Sequence, residues 1–215
     1  MGAKTWMLVY ANDRADAALR VRPELDRDAT MRIAGSLFPG EKLKETAPGD
    51  LSYTCPPDDE ITIGHFPGVT VVAAKEFGID YPSKLPRRFL EAVPCRNIYL
   101  HAMHSVVDWF AFAQWTDGRL VRSLSLSPDS GVLEDIGDRL PFEEPYWAGR
   151  HPAVDPGEEP DAYPFPFHPL ELGEAALRAF FGYQIEGGVD ESLIEPVAVT
   201  LLRFKRSRSR WKFWR

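Results

Sequence analysis

The residues best suited to chemistry are two histidines and an aspartate in the middle of the chain. His101, His104 and Asp108 follow one another at spacings of three and four residues. On a helix these positions would share one face, where two imidazoles and a carboxylate could bind Zn²⁺ or Mn²⁺ for hydrolysis. The neighbouring residues are β-branched and aromatic, which favours a strand, and on a strand positions three apart face opposite sides. A bulge or turn near Met103 would be needed to bring the histidines together.

A second candidate set is three serines that alternate with leucines. Ser123, Ser125 and Ser127 would line one face of a strand and could form a polar pocket, or they could simply form a solvated face. A nucleophilic serine requires a tight turn with oxyanion donors, and the chain has no Gly-x-Ser-x-Gly motif. It also has no glycine-rich phosphate loop. The sequence therefore predicts no cofactor, apart from Zn²⁺ or Mn²⁺ under the hydrolase hypothesis.

The C-terminal residues 203–215 differ from the rest of the chain in charge. Of the 25 basic residues seven lie in this segment, and none of the 32 acidic ones does, so residues 1–202 carry a net charge of −14. We predict that this tail binds a polyanion or a membrane. The residues assigned to that binding are Arg203, Lys205, Arg206, Arg208, Arg210, Trp211, Lys212, Trp214 and Arg215.

Three functional hypotheses follow from these features. The leading one is a non-enzymatic binding or regulatory domain whose tail docks on an anionic membrane, an RNA or an acidic protein, because cations attract polyanions and indoles stack on bases or enter headgroups. The tail could instead fold back onto its own acidic domain. The alternatives are a metal-assisted hydrolase that uses His101, His104 and Asp108, and a small-ligand-binding domain with a pocket between the sheet and the aromatic segment 146–167.

Composition narrows the cellular setting. No window approaches the roughly 18 apolar residues of a membrane-spanning helix. The N-terminal apolar run is too short for a signal peptide. The two cysteines, Cys55 and Cys95, are far apart and each lies beside proline, which is typical of reduced thiols. We therefore expect a cytoplasmic protein, peripheral at the inner membrane face if the tail binds lipid.

The element pattern predicts an α+β fold. We expect a two-layer structure with a mainly antiparallel sheet, helices on one face and a long loop rich in proline and aromatic residues over 140–169. Residues 1–202 would form a single domain, followed by the basic tail 203–215. An Asp-Gly turn at Asp117-Gly118 predicts a hairpin. The predicted helices cover 13–22, 26–37, 86–93 and 169–181.

Five segments carry a resemblance to a known family. They are MGAKT (1–5), HAMHSVVDW (101–109), DGRLVRSLSLSPD (117–129), PYWAG (145–149) and PFHPLELGE (166–174). The chain resembles a family of uncharacterised actinomycete proteins, a domain of unknown function, over residues 1 to about 182. The resemblance implies a bacterial, cytoplasmic, single-domain protein. It implies no functional residue, because the family has no established activity, and it does not cover the tail.

Overall fold

The computed structural model describes residues 2–153 and 163–208, in which β-strands and short helices are interspersed. The strands are β1 (Lys4–Ala11), β2 (Glu41–Glu45), β3 (Gly49–Asp50), β4 (Glu60–Phe66), β5 (Val69–Ala73), β6 (Asn97–His104), β7 (Trp109–Thr116), β8 (Arg119–Ser127), β9 (Gly131–Ile136) and β10 (Thr200–Arg208). The α-helices are α1 (Ala15–Arg20), α2 (Arg27–Leu37), α3 (Arg87–Leu90), α4 (Glu144–Trp147) and α5 (Pro169–Phe181). Within these two ranges, no helix is long and apolar enough to cross a membrane.

The strands form one antiparallel sheet, which confirms the α+β class. Its order is β2-β10-β4-β5-β1-β6-β7-β8-β9, and β3 also pairs with β10. The named strands pair antiparallel throughout. The last strand in sequence, β10, therefore lies inside the sheet between β2 and β4, and only β2 and β9 lie at the ends of this path.

Both faces of the sheet are covered, so the expectation of helices on one face is corrected. Along β1, Met7 and Val9 belong to one apolar core, whereas Leu8 and Tyr10 belong to another. Adjacent strand residues point to opposite faces. The first core packs against α1 and α5, and the second packs against α2 and α3. Strand β5 is buried along its whole length and is apolar except for Thr70, and this pattern is the sequence signal of the three-layer arrangement.

Local start and stop signals predicted several elements correctly. The side chain of Asp26 accepts a hydrogen bond from a first-turn amide of α2. Helix α5 begins with Pro169 and ends before Gly182, which has a φ of 74° as a left-handed helix cap requires. Asp117 and Gly118 both have positive φ and connect β7 to β8 as the expected hairpin turn.

The serines of β8 are buried and are not the solvated face that the sequence allowed. Ser123, Ser125 and Ser127 lie under the segment that contains the 3-10 turn Pro82–Lys84. Ser123 donates a hydrogen bond to Glu134, whose carboxylate also accepts hydrogen bonds from the amide and hydroxyl groups of Ser83. Glu134 thus links the Ser123 hydroxyl to the cover, whereas the hydroxyls of Ser125 and Ser127 accept hydrogen bonds from Trp109 and from the Ser130 amide, so all three have a structural role.

Candidate functional site

The histidines of the predicted metal motif lie on opposite faces of β6. His101 is fully buried in the α5-side core, where its ring nitrogens lie 2.7 Å from Thr5 Oγ1 and 2.9 Å from the Gly173 carbonyl oxygen. His104 lies at the strand end on the other face, with its ring centroid 5.7 Å from that of Trp6. Their spacing of three residues on a regular strand separates them, as strand geometry requires.

Asp108 contacts a different histidine. It lies in the turn between β6 and β7, and its Oδ2 is 3.5 Å from Nε2 of His168, the residue that caps α5. Residues 2–153 and 163–208 contain no group of three or more histidine, cysteine or acidic side chains arranged to hold a metal ion. The hydrolase hypothesis needs a bulge or turn near Met103, but the chain turns only after His104, so both histidines lie in one regular strand. The structure therefore does not bring His101, His104 and Asp108 together.

The described part of the basic tail belongs to the sheet. Strand β10 continues to Arg208, so the predicted domain boundary after residue 202 falls within the strand. Three of its cations bind carboxylates of the same domain, with nitrogen–oxygen distances of 2.6 to 3.1 Å. The pairs are Arg203–Glu60, Lys205–Asp59 and Arg206–Glu76. These three cations are therefore paired with acidic residues of their own domain.

The other predicted tail residues are not described. The side chain of Arg208 and the whole of Arg210, Trp211, Lys212, Trp214 and Arg215 lie outside the described residues. Their assignment to polyanion or membrane binding stays a prediction.

Strand register places two further lysines beside the cations of β10. In β2, Lys44 lies directly opposite Lys205, and Lys42 lies opposite Ser207. Directly paired residues point to the same side of a sheet, as does Arg203, two positions from Lys205. We call Lys42, Lys44, Arg203 and Lys205 the cationic face. Within the described residues Lys42 and Lys44 are exposed and make no ion pair.

Lys42 and Lys44 lie 165 and 161 positions before their β10 partners Ser207 and Lys205 in the chain, so the sequence alone does not associate them with the basic tail. The sequence Glu-Lys-Leu-Lys-Glu of β2 alternates lysine with partly buried residues, which indicates a strand with one exposed basic side. That pattern does not indicate which strand lies next to β2 in the sheet.

A cleft of about 560 Å³ is lined by residues of the aromatic segment, of α5 and of the loop after it, and not by the sheet residues that the ligand-binding alternative expected. Tyr146 and His151 form one wall, with ring centroids 4.3 Å apart, and Glu174 and Arg178 of α5 form another. Arg178 donates a hydrogen bond to Gln184. Burial raises the pKa of Glu174, although two backbone amides bind its carboxylate. Segment 154–162, which lies between His151 and His168 in sequence, is outside the described residues.

These features define an α+β domain in which a ten-stranded antiparallel sheet is covered on both faces and carries basic residues along one edge. The chain belongs to a family of unknown function, DUF6928, whose model matches residues 5–204 and ends within β10. The resemblance to a domain of unknown function that leaves the C-terminal residues uncovered is thereby confirmed. No curated protein and no solved structure matches the chain in the corresponding searches.

Proposed function

We propose that this protein is a non-enzymatic binding domain that docks on an anionic membrane surface through its cationic face and the residues that follow β10. The observation that carries the proposal is the cross-strand pair of Lys44 and Lys205. Like charges directly opposite each other destabilise a sheet. An anion bound over both lysines would offset that repulsion.

The cationic face is short and lies at one end of the sheet. It contains four cations, and two of them bind the carboxylates of Asp59 and Glu60, which leaves Lys42 and Lys44 unpaired within the described residues. Lysines on an edge strand also prevent edge-to-edge pairing, which is the structural alternative for these two residues. That role would need no anion.

A planar lipid surface suits this arrangement better than RNA does. The acidic remainder of the domain repels a long polyanion wherever the polyanion extends past the face. A membrane touches only the basic edge. The sequence after β10 also contains Trp211, Phe213 and Trp214, and indole and phenyl rings are suited to the headgroup region.

The lysine contribution can be measured on vesicles. A basic residue near an anionic leaflet contributes about 1 kcal/mol, so replacing Lys42 and Lys44 by glutamine should weaken partitioning roughly 30-fold. The control is Lys84→Gln with Arg119→Gln, which removes the same charge from exposed positions elsewhere. Sedimentation with vesicles of phosphatidylglycerol and phosphatidylcholine gives the partition coefficients.

A variant that lacks the tail must be truncated at a position that leaves β10 intact. Deletion of 203–215 would remove most of β10 and disrupt the sheet, so the chain should be truncated after Arg208. This variant should keep the wild-type melting temperature and lose binding. Equal weakening by the lysine pair and by its control would show a general charge effect and overturn the proposal. Binding to RNA without binding to the vesicles would overturn it as well.

A further inference from the structure

A second cleft contains His104 and lies on the opposite side of the sheet from His101. Its volume is about 370 Å³, and it opens where β1, β6, β7 and β8 end. Three aromatic rings form its wall. The Trp6 ring centroid is 5.7 Å from that of His104 and 5.9 Å from that of Trp109. Such distances are those of rings in contact, so the three rings present one continuous aromatic surface.

The ring of Trp6 packs closely against Gly78, where only glycine leaves room for it. A Cβ atom added to Gly78 would lie 2.6 Å from Cε3 of Trp6, which is closer than carbon atoms approach. Trp109 is held separately, because its indole nitrogen donates a hydrogen bond to Ser125 at 3.2 Å. Both indole rings therefore have specific contacts with the fold.

Two carboxylates line the same cleft. Asp80 and Asp129 are exposed, and within the described residues neither makes a hydrogen bond or an ion pair. The remaining lining residues include Ser127, Ser130 and the apolar Val107 and Leu133. The lining as described therefore has two negative charges and no lysine or arginine.

The cations whose charges act on His104 are Lys4 and Lys75. Lys75 binds Asp58 at 3.0 Å, whereas Lys4 makes no ion pair within the described residues and lies opposite His104 in the β1–β6 register. Burial, followed by the charges of Lys4 and Lys75, lowers the pKa of His104. Its imidazole is consequently neutral at pH 7 and adds no positive charge to the cleft.

We infer that this cleft binds a small organic cation that carries an alkylated ammonium group. The aromatic surface attracts a cation through the ring quadrupole, most strongly for tryptophan. Asp80 and Asp129 supply charge complementarity. N-methyl groups cannot donate conventional hydrogen bonds, so they suit contact with rings better than a primary ammonium does.

Choline and its uncharged carbon isostere, 3,3-dimethylbutan-1-ol, test the inference directly. Titration is followed by the indole N–H resonances of Trp6 and Trp109 in ¹H–¹⁵N spectra. Choline should shift both resonances, and the isostere should bind at least tenfold more weakly. Asp80→Asn with Asp129→Asn should weaken choline binding at least tenfold, while the control Asp138→Asn, which removes an exposed charge elsewhere, should leave it unchanged.

The substitution Lys4→Gln distinguishes a cation-binding cleft from a cleft with only a structural role. Removal of this cation should strengthen choline binding, because Lys4 repels a ligand of like charge. Equal affinity for choline and the isostere would show that the cleft takes a neutral ligand and would overturn the inference. It would also be overturned if neither choline nor tetramethylammonium shifted the Trp6 resonance at millimolar concentration.

Discussion

Replacing His101 by glutamine should remove a pH dependence of stability that the wild-type protein shows between pH 7 and pH 5. Burial lowers the pKa of His101 from 6.5 to about 4, and hydrogen bonding to Gly173 opposes this only in part. The Gly173 carbonyl oxygen can only accept, so Nε2 carries the proton and Nδ1 accepts from the Thr5 hydroxyl. His101 is thus neutral in the folded state.

The sign and the size follow from proton linkage. In the unfolded chain His101 binds a proton as the pH falls through 6.5, whereas in the folded protein it does so only near pH 4. Stability is therefore complete above pH 6.5 and decreases as the pH falls towards 4. One pKa unit corresponds to 1.36 kcal/mol, so His101 should account for a loss of about 2 kcal/mol between pH 7 and pH 5.

Urea denaturation at pH 7, 6 and 5 measures this loss. Carboxylates titrate in the same range, so the informative quantity is the difference in slope between wild type and His101→Gln. The variant is expected to be less stable at pH 7, because it loses the fit to Thr5 and Gly173, and its slope should be flatter. His104→Gln is the matched control, because it makes the same substitution at a partly exposed histidine. Identical slopes for wild type and His101→Gln would refute the assignment of a buried neutral imidazole.

Three further substitutions test the ion pairs of the buried Arg122 and the N-cap of α2. Glu143→Gln should lower the free energy of unfolding by about 3 kcal/mol, because Glu143 and its partner Arg122 are both fully buried. Asp135 also binds Arg122 but is half-exposed, so Asp135→Asn should lower the free energy of unfolding by only about 1 kcal/mol. Equal losses in urea denaturation would contradict this ranking. Asp26→Ala should cost about 1 kcal/mol by removing the N-cap of α2, and an unchanged midpoint would show that the Asp26–Ala29 hydrogen bond contributes nothing.

Elements whose causes lie within a few residues were predictable from sequence. Helix α5 was placed at its observed bounds because Pro169 and Gly182 mark its two ends. The β7–β8 hairpin followed from Asp117-Gly118. In each case the backbone conformation is fixed by local sterics, which a single sequence displays directly.

Features that depend on distant partners were not predictable in the same way. The serines of β8 alternate as a solvated face would, yet a segment about 40 residues earlier covers them and binds Glu134. The pattern of a strand reports which residues share a face, but it does not report what packs on that face. His101 and His104 were separable by the same rule, because only their spacing and a strand assignment were needed.

The cations on the two sides of β10 lie in different environments. The number of basic residues in the tail therefore could not show whether the tail binds an external anion or its own acidic domain. Arg206 is 8% exposed, lies 5.1 Å from the Phe38 ring centroid and binds Glu76, so it anchors the strand. Lys205 is 60% exposed, points to the other side and lies opposite Lys44. Salt screens exposed charges over about 10 Å at 0.1 M and buried pairs much less. Added salt should therefore weaken membrane binding by the side of β10 that carries Lys205, while the buried Arg206–Glu76 pair still holds β10 in the sheet.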